Sequence, residues 1–421
     1  MASIGAGTGH TIRVLSLVGT THFMSHVYYL ALPPLFPLLV KDFDTSYTAL
    51  GFLLTVFAVA TSLVATPIGF VIDRFGGRRV LIYGLTLQAV ATGAVAFTSS
   101  YWALVVLFAI AGAAFSVYHP ADYAIMSSTI DRSRLGRAFS VHAVAGNLGS
   151  AAAPLMMVGM AALWGWRSGF IALGALGLLL ALILWSQGSV LEDDAERRQT
   201  AKKGGTGSAD TQTGQPETVR AGLMLLLSAP VMLCFLFYVI SHIGFGGLRI
   251  FAVSALVAMY DTPLAAANGA LTGYLIGSAC GIIAGGIVAD KFGARMTTAA
   301  FGMIAGAGLI VLIGTVSLPM VLIIATLSAA GFMRATVQAT RDLIVLSVTP
   351  KGSTGKVFAF LYNGTMIGAA IMPLLFGWVM DSGRPEGVFW LTAAFMMVAL
   401  ATFFGLRRAV PLEAAENSGS G

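Results

Sequence analysis

The sequence predicts an all-α integral membrane protein of twelve transmembrane helices in two pseudo-symmetric six-helix bundles. Three observations predict it: a charge-poor, apolar composition, twelve stretches long enough to cross a bilayer, and a second half that repeats the first. Of the 421 residues, 57% are hydrophobic and 10% are charged, and the mean hydropathy is +0.86. Soluble domains carry about 25% charged residues, so a chain this poor in charge cannot dress a water-facing surface. Its solvent is mostly lipid.

Composition excludes several classes. The 50 glycines lie within apolar runs, which argues against disorder and for close helix packing, the main attraction between helices in lipid. The formal charge of +6 comes from loop arginines and lysines rather than a nucleic-acid-binding face, and no nucleic-acid partner is expected. Cys234 and Cys280 both fall in apolar runs, so neither a disulfide framework nor a thiolate metal site is expected.

A helix of about 20 apolar residues crosses the hydrocarbon core. The stretches are 14–40, 47–72, 80–99, 102–127, 137–161 and 167–187, then 222–256, 264–289, 297–316, 319–345, 356–380 and 387–407. Arg13 leads directly into the first with no small-residue cleavage site, so no cleavable signal is expected.

Basic residues orient the spans. Arg74, Arg78 and Arg79, then Arg132, Arg134 and Arg137, then Arg197, Arg198, Lys202, Lys203 and Arg220 follow even-numbered spans. Lys291, Arg295, Lys351, Lys356, Arg407 and Arg408 continue the pattern, while the other side carries only Lys41, Arg167 and Arg384. Both termini are therefore expected in the cytoplasm of a bacterial inner-membrane protein. The polar, Gly/Ser/Thr-rich interval 188–220 reads as a linker between an N-terminal bundle, 1–187, and a C-terminal bundle, 221–410, with a polar tail at 411–421.

The halves repeat at a nearly constant offset. Ser25-His26 returns as Ser241-His242, and Gly136-Arg-Ala-Phe139 with Pro154 returns as Gly355-Lys-Val-Phe358 with Pro373. The loop Gly69-x-x-x-Asp73-Arg74-x-Gly76-x-Arg78 returns as Gly286-x-x-x-Asp290-Lys-x-Gly293-x-Arg295. Parallel repeats of this kind are expected to form a solute site between them near the bilayer midplane.

That duplicated loop resembles the signature of the major facilitator superfamily, over nearly the whole chain. The resemblance implies a secondary transporter working by alternating access, with no cofactor, as a monomer. It also implies that Asp73 latches the cytoplasmic side by meeting basic loop residues or a helix N-terminus. Gly69 is expected to allow close packing and Gly76 a tight turn. Ser25-His26, Phe115-Ser-Val-Tyr118-His119-Pro120 and Gly146-Asn147-x-Gly149-Ser150-x-x-x-Pro154 further resemble the fosmidomycin-resistance-like branch of bacterial efflux carriers. Helix 4 lacks the membrane-embedded Arg of common drug–proton antiporters, and helix 5 lacks their Gly-Pro-x-x-Gly-Gly element, so multidrug export is not implied.

Charge inside hydrocarbon costs at least about 2.5 kcal/mol per residue and points to a cavity or a partner. Arg334, Gln338 and Arg341 share one face of span 10, and Arg249 lies in span 7. Fewer acids accompany them, namely Asp122 and Asp342, so the interior favours an anion, for which guanidinium is a two-pronged donor. A pairing of Arg341 with Asp122, which hold equivalent places in the two halves, is the structural alternative. Tyr29, Asn147 and Asn363, with His26, complete the expected solute-binding set. Every histidine except His10 lies in a span, and His26, His119 and Asp122 are the expected proton-coupling residues. No metal is expected, because no carboxylate or thiol completes a site with the His pairs.

The expected function is proton-coupled export of a small, anionic organic solute through the lipid bilayer. Proton-symport uptake of an organic acid uses the same parts. A transporter-like sensor without turnover is the rival from another class, and 188–220 is short for an output domain. No metalloprotease, nucleophile-elbow or phosphate-loop motif supports an enzyme.

Overall fold

The computed structural model describes residues 8–187, 190–191, 224–292, 296–347, 349–350 and 353–409. Most of the linker, the tail at 411–421, Gly293 and Arg295 lie outside the described residues, as does the side chain of Asp290. Among the described residues, twelve helical stretches are long and apolar enough to cross a membrane. In the first half they are α1 (Thr8–Tyr29) with α2 (Phe36–Asp42), α3 (Tyr47–Phe75), α4 (Gly77–Ala94), α5 (Tyr101–Phe115) with α6 (Tyr118–Thr129), α7 (Arg132–Trp164) and α8 (Trp166–Ser186). In the second they are α9 (Ala229–Tyr260), α10 (Leu264–Phe292), α11 (Met296–Thr315), α12 (Met320–Ser347), α13 (Thr354–Asp381) and α14 (Gly387–Ala409).

Three spans differ from the continuous helices expected of them, each through proline. Pro33-Pro34 open a 3₁₀ turn, Pro33–Leu35, that separates α1 from α2. Pro120 lacks an N–H and its ring opposes the carbonyl of Ser116, so span 4 breaks into α5 and α6 at that point. Pro230 fits the first turn of a helix, and α9 accordingly starts at Ala229 rather than 222.

The repeat is visible in the backbone. Asp44 and Asp261, each followed by Thr, both adopt φ 45° before α3 and α10. Gly165 (φ 81°) ends α7 and Gly383 (φ 71°) follows α13, conformations that a Cβ would strain. Pro154 and Pro373 lie inside those same two helices.

Contacts divide the chain into two compact units. The first takes in Met1–Thr45 and Val56–Thr211, and the second Ser46–Thr55 and Gln212–Gly421. In the first, α1 packs on α7 and α4 on α8 and α5. A Cβ at Gly149 of α7 would lie 2.2 Å from the carbonyl oxygen of Phe23 on α1, so only glycine permits that approach.

In the second unit α10 packs on α12 along Gly273, Gly277, Gly281 and Gly285, one residue per turn. A Cβ at Gly277 would sit 2.1 Å from the Ser328 carbonyl oxygen. Gly277→Leu should therefore force the helices apart and lower stability by at least about 1–3 kcal/mol. Thermal unfolding in detergent checks this, and an unchanged midpoint would contradict the packing. The first turn of α3 belongs to the same unit, where the Asp381 carboxylate accepts the backbone N–H groups of Tyr47 (2.8 Å) and Thr48 (2.9 Å). An acidic side chain there satisfies otherwise orphaned donors and opposes the helix dipole.

Outward faces are apolar, as lipid requires: Leu63, Phe70, Leu163, Leu182, Trp185 and Phe301 are all well exposed.

Candidate functional site

In the first unit three helices bring their ionisable side chains to one place. α1 carries His22 and His26 four residues apart, α6 carries His119 and Asp122 three apart, and α7 carries His142, Gly146 and Ser150 at successive intervals of four. His22, Asp122 and His142 are buried, and Asp122 is wholly inaccessible.

Asp122 Oδ2 lies 2.9 Å from His142 Nε2 and 3.8 Å from His22 Nδ1. The rings of His22 and His142 stack at 3.6 Å between centroids, and His26 and His119 meet the His22 ring edge-on at 4.7 and 5.0 Å. His26 Nδ1 bonds the Ser150 hydroxyl at 2.9 Å. Asp122 Oδ1 has no hydrogen-bond partner, although burying a carboxylate oxygen without one is costly. Asp122 is thus bound by histidine within its own unit.

Three imidazoles, His22, His26 and His119, offer ring nitrogens within 4.8 Å of one another, and a second set of His22, Asp122 and His142 does the same. The expectation that no carboxylate accompanies the histidines is therefore corrected by Asp122. The sequence reading also passed over His142 and Ser150. The four-residue spacing of His142, Gly146 and Ser150 on α7 was the available signal.

Other expected residues of this unit are placed differently. Tyr29 joins an aromatic group, 6.0 Å from the rings of both Phe57 and Phe115. Asn147 is exposed and donates to the Ala143 carbonyl of its own helix at 3.0 Å, so it is not aimed at the histidines.

The second unit collects cations. α9 aligns Tyr238, His242, Phe245 and Arg249 on one face and contains no acidic residue. From α12, Arg341 lies over the Tyr238 ring and Arg334 over the Phe245 ring, each with 4.6 Å between guanidinium carbon and ring centroid. The partners are seven residues apart on both helices and in opposite order, so α9 and α12 run antiparallel with two guanidinium–aromatic rungs about 10.5 Å apart. Gln338 lies half-buried between the two arginines on α12.

His242 feels the charges of both Arg249 and Arg334, and its Nε2 is buried without a hydrogen-bond partner. Arg334 Nε is likewise unpartnered, and Arg334 forms no ion pair among the described residues. A guanidinium such as that of Arg334, stacked on an aromatic face with no ion pair among the described residues, is a donor ready to take an oxyanion. Asn363 is exposed on α13 and does not join this face through any hydrogen bond among the described residues.

At the duplicated loop, Gly76 has φ 93° and its N–H bonds the Ile72 carbonyl at 2.8 Å, turning the chain from α3 into α4. Arg78 donates to the Trp185 carbonyl at 3.1 Å, capping the end of α8. Arg74 lies over Phe75 at 5.3 Å, and Asp73 is exposed. A Cβ at Gly69 or Gly286 would meet nothing within 4 Å, so the close packing expected at Gly69 is not what this structure shows.

Helices that cross a bilayer twelve times and hold cations and a carboxylate within their spans define a multi-pass membrane carrier. The signature of the Major Facilitator Superfamily matches residues 18–266 and again 234–420, and the chain belongs to that family. It is 24% identical to the fosmidomycin resistance protein of Escherichia coli (strain K12) over 404 residues, 93% of this chain and 92% of that one. Shorter similarities reach the multidrug resistance protein MdtG of Salmonella typhimurium, 28% over 177 residues (41% and 44% of the two chains). They also reach a probable L-galactonate transporter of Escherichia coli, 25% over 142 residues (34% and 31%). Among solved structures, a bacterial homolog to the human lysosomal transporter Spinster has the same fold, with TM-score 0.80 and 15% identity over 96% of this chain and 98% of that one. The nucleoside transporter NupG follows at TM-score 0.73 and 14% identity, covering 94% and 98%.

Proposed function

We propose that this chain exports a small organic anion across the bacterial inner membrane by alternating access, coupled to proton entry, with both termini in the cytoplasm. The observation that carries this reading is Arg334 of α12, which forms no ion pair among the described residues. It stands with Arg249 near His242, α9 contains no acid, and a guanidinium held inside a span without a counter-ion needs an anion from elsewhere. Gln338 and Arg341 extend the same face, and Asn363, Tyr29 and Asn147 are further solute contacts carried over from the sequence.

The cluster of His26, His119 and Asp122, joined by His22 and His142, is the coupling site. Its single buried carboxylate supplies the counter-charge that a cation needs inside hydrocarbon. Asp73 and its loop act as the cytoplasmic latch, with Asp290 and the second loop as its counterpart. Resistance proteins among the relatives favour export over uptake.

Membrane vesicles of both orientations from an overexpressing strain test substrate class and direction together. With an imposed pH gradient, everted vesicles should accumulate a labelled organic anion above empty-vector controls. Accumulation confined to right-side-out vesicles would replace export by symport uptake. Absence in both orientations across a panel of carboxylates and phosphonates would remove the anion reading.

A further inference from the structure

We infer that the histidine cluster of the first unit binds a divalent transition-metal ion, with His22, His26 and His119 as its ligands. The inference rests on reading this cluster as a cation site, and it goes beyond that reading by naming the ion's chemistry.

The convergence on Gly146 is the first reason. A Cβ at Gly146 would sit 2.6 Å from His22 Nε2 and 2.8 Å from His26 Nε2. Two imidazole nitrogens from successive turns of α1 thus converge on one point of α7, an approach that glycine permits. His119 on α6 brings a third ring nitrogen into the same group, all within 4.8 Å. A zinc ion bound at about 2.0–2.1 Å holds tetrahedral nitrogens about 3.3 Å apart, so each ring needs to swing by roughly an ångström.

The groups behind the ligands are the second reason. Metal-bound imidazole donates its other N–H to a carboxylate, hydroxyl or carbonyl that fixes the ring. His22 turns Nδ1 toward Asp122 at 3.8 Å, and His26 Nδ1 bonds Ser150 at 2.9 Å. In both rings Nε2 is the nitrogen that faces Gly146. Asp122 would offset part of the ion's charge, and its Oδ1, buried and unpartnered, is accounted for by a cation nearby. His142 holds Asp122 from the other side.

Three imidazoles suit zinc, cobalt, nickel or copper and disfavour magnesium and calcium, which want oxygen. Three protein ligands with a fourth position open also describe a site that exchanges its ion or takes a further ligand.

The test uses full-length purified protein in nanodiscs, with any affinity tag removed and metals stripped by chelator. Cobalt(II) should bind at one equivalent per chain with the intense visible absorption of four-coordinate cobalt, and zinc(II) should displace it. His22→Ala, His26→Ala and His119→Ala should each abolish the spectrum. Asp122→Asn should weaken zinc by roughly 10–100-fold, as loss of an outer hydrogen-bonding partner does. Gly146→Ala, whose methyl would push both Nε2 atoms from their places, should exclude cobalt in protein that still elutes as a single species.

A wild-type protein with no cobalt spectrum at stoichiometric metal overturns the inference, as does binding that survives a His22→Ala/His26→Ala double variant. Protein that binds no metal yet still moves an anion along a pH gradient overturns this site and leaves the proposed function standing.

Discussion

Replacing Arg334 by Ala should abolish anion transport without unfolding the protein. Arg334 makes no ion pair among the described residues, its Nε has no hydrogen-bond partner, and its guanidinium lies over the Phe245 ring. Truncation therefore leaves no partner charge buried, and the structural loss is limited to a guanidinium–aromatic contact of about 0.5–2 kcal/mol. Binding should suffer far more. A hydrogen bond to a charged group is worth about 1.5–3 kcal/mol, so affinity for the anion should fall at least ~10-fold. Arg334→Lys keeps the charge but not the planar fork, and should recover only part of the loss. Isothermal titration with a transported anion, alongside thermal unfolding of the same samples, separates the two effects. Equal affinity in Arg334→Ala and wild type would return this residue to a structural role.

The second large effect is expected at Asp122. Asp122→Asn preserves shape and can still accept a hydrogen bond from His142, but it removes the only negative charge in the cluster. Gradient-driven accumulation should then fall to the level of passive exchange, while downhill anion exchange persists. Asp122→Ala should behave worse, because it also leaves His142 without its buried acceptor, at a cost of about 1–3 kcal/mol. Accumulation and exchange measured on the same vesicles distinguish uncoupling from misfolding. An Asp122→Asn protein that still concentrates anion against its gradient would place the coupling elsewhere.

These two residues show how much the sequence disclosed. Hydropathy, loop charge and the repeat are properties of the chain read along its length, so the twelve spans and the paired loops were legible without coordinates. Arg334 was legible because a charge in an apolar run needs an explanation wherever its side chain points. The partners of such charges were not. Asp122 pairs with His142, twenty residues away, because the packing of α6 against α7 decides the neighbour. Asn147 shows the same limit: its amide N–H finds a partner on the carbonyl four residues back, which no reading of the sequence alone could choose. Gly146 could be quoted as part of a motif, yet its consequence, the close approach of two imidazole nitrogens, exists only once α1 and α7 are packed.

The proline breaks follow the same rule. Pro120 announces a disturbance in span 4, but its effect is specific: it ends α5 at Phe115 and begins α6 at Tyr118, so that His119 and Asp122 sit in the opening turns of a new helix. The second half has no such break in α12, and there the arginines ride on an uninterrupted helix beside the glycine stripe of α10. Related halves of one fold have in this way been given different chemistry, one gathering imidazole and carboxylate, the other guanidinium.

Solute counterflow with purified protein is the most direct test, since it depends on carrier recognition alone and needs no energy source. Proteoliposomes loaded with an unlabelled organic anion and given a trace of the labelled compound outside should show a transient overshoot with wild type and Asp122→Asn, and none with Arg334→Ala. An overshoot with neutral or cationic solutes but with no anion, or one that Arg334→Ala leaves intact, would contradict the account.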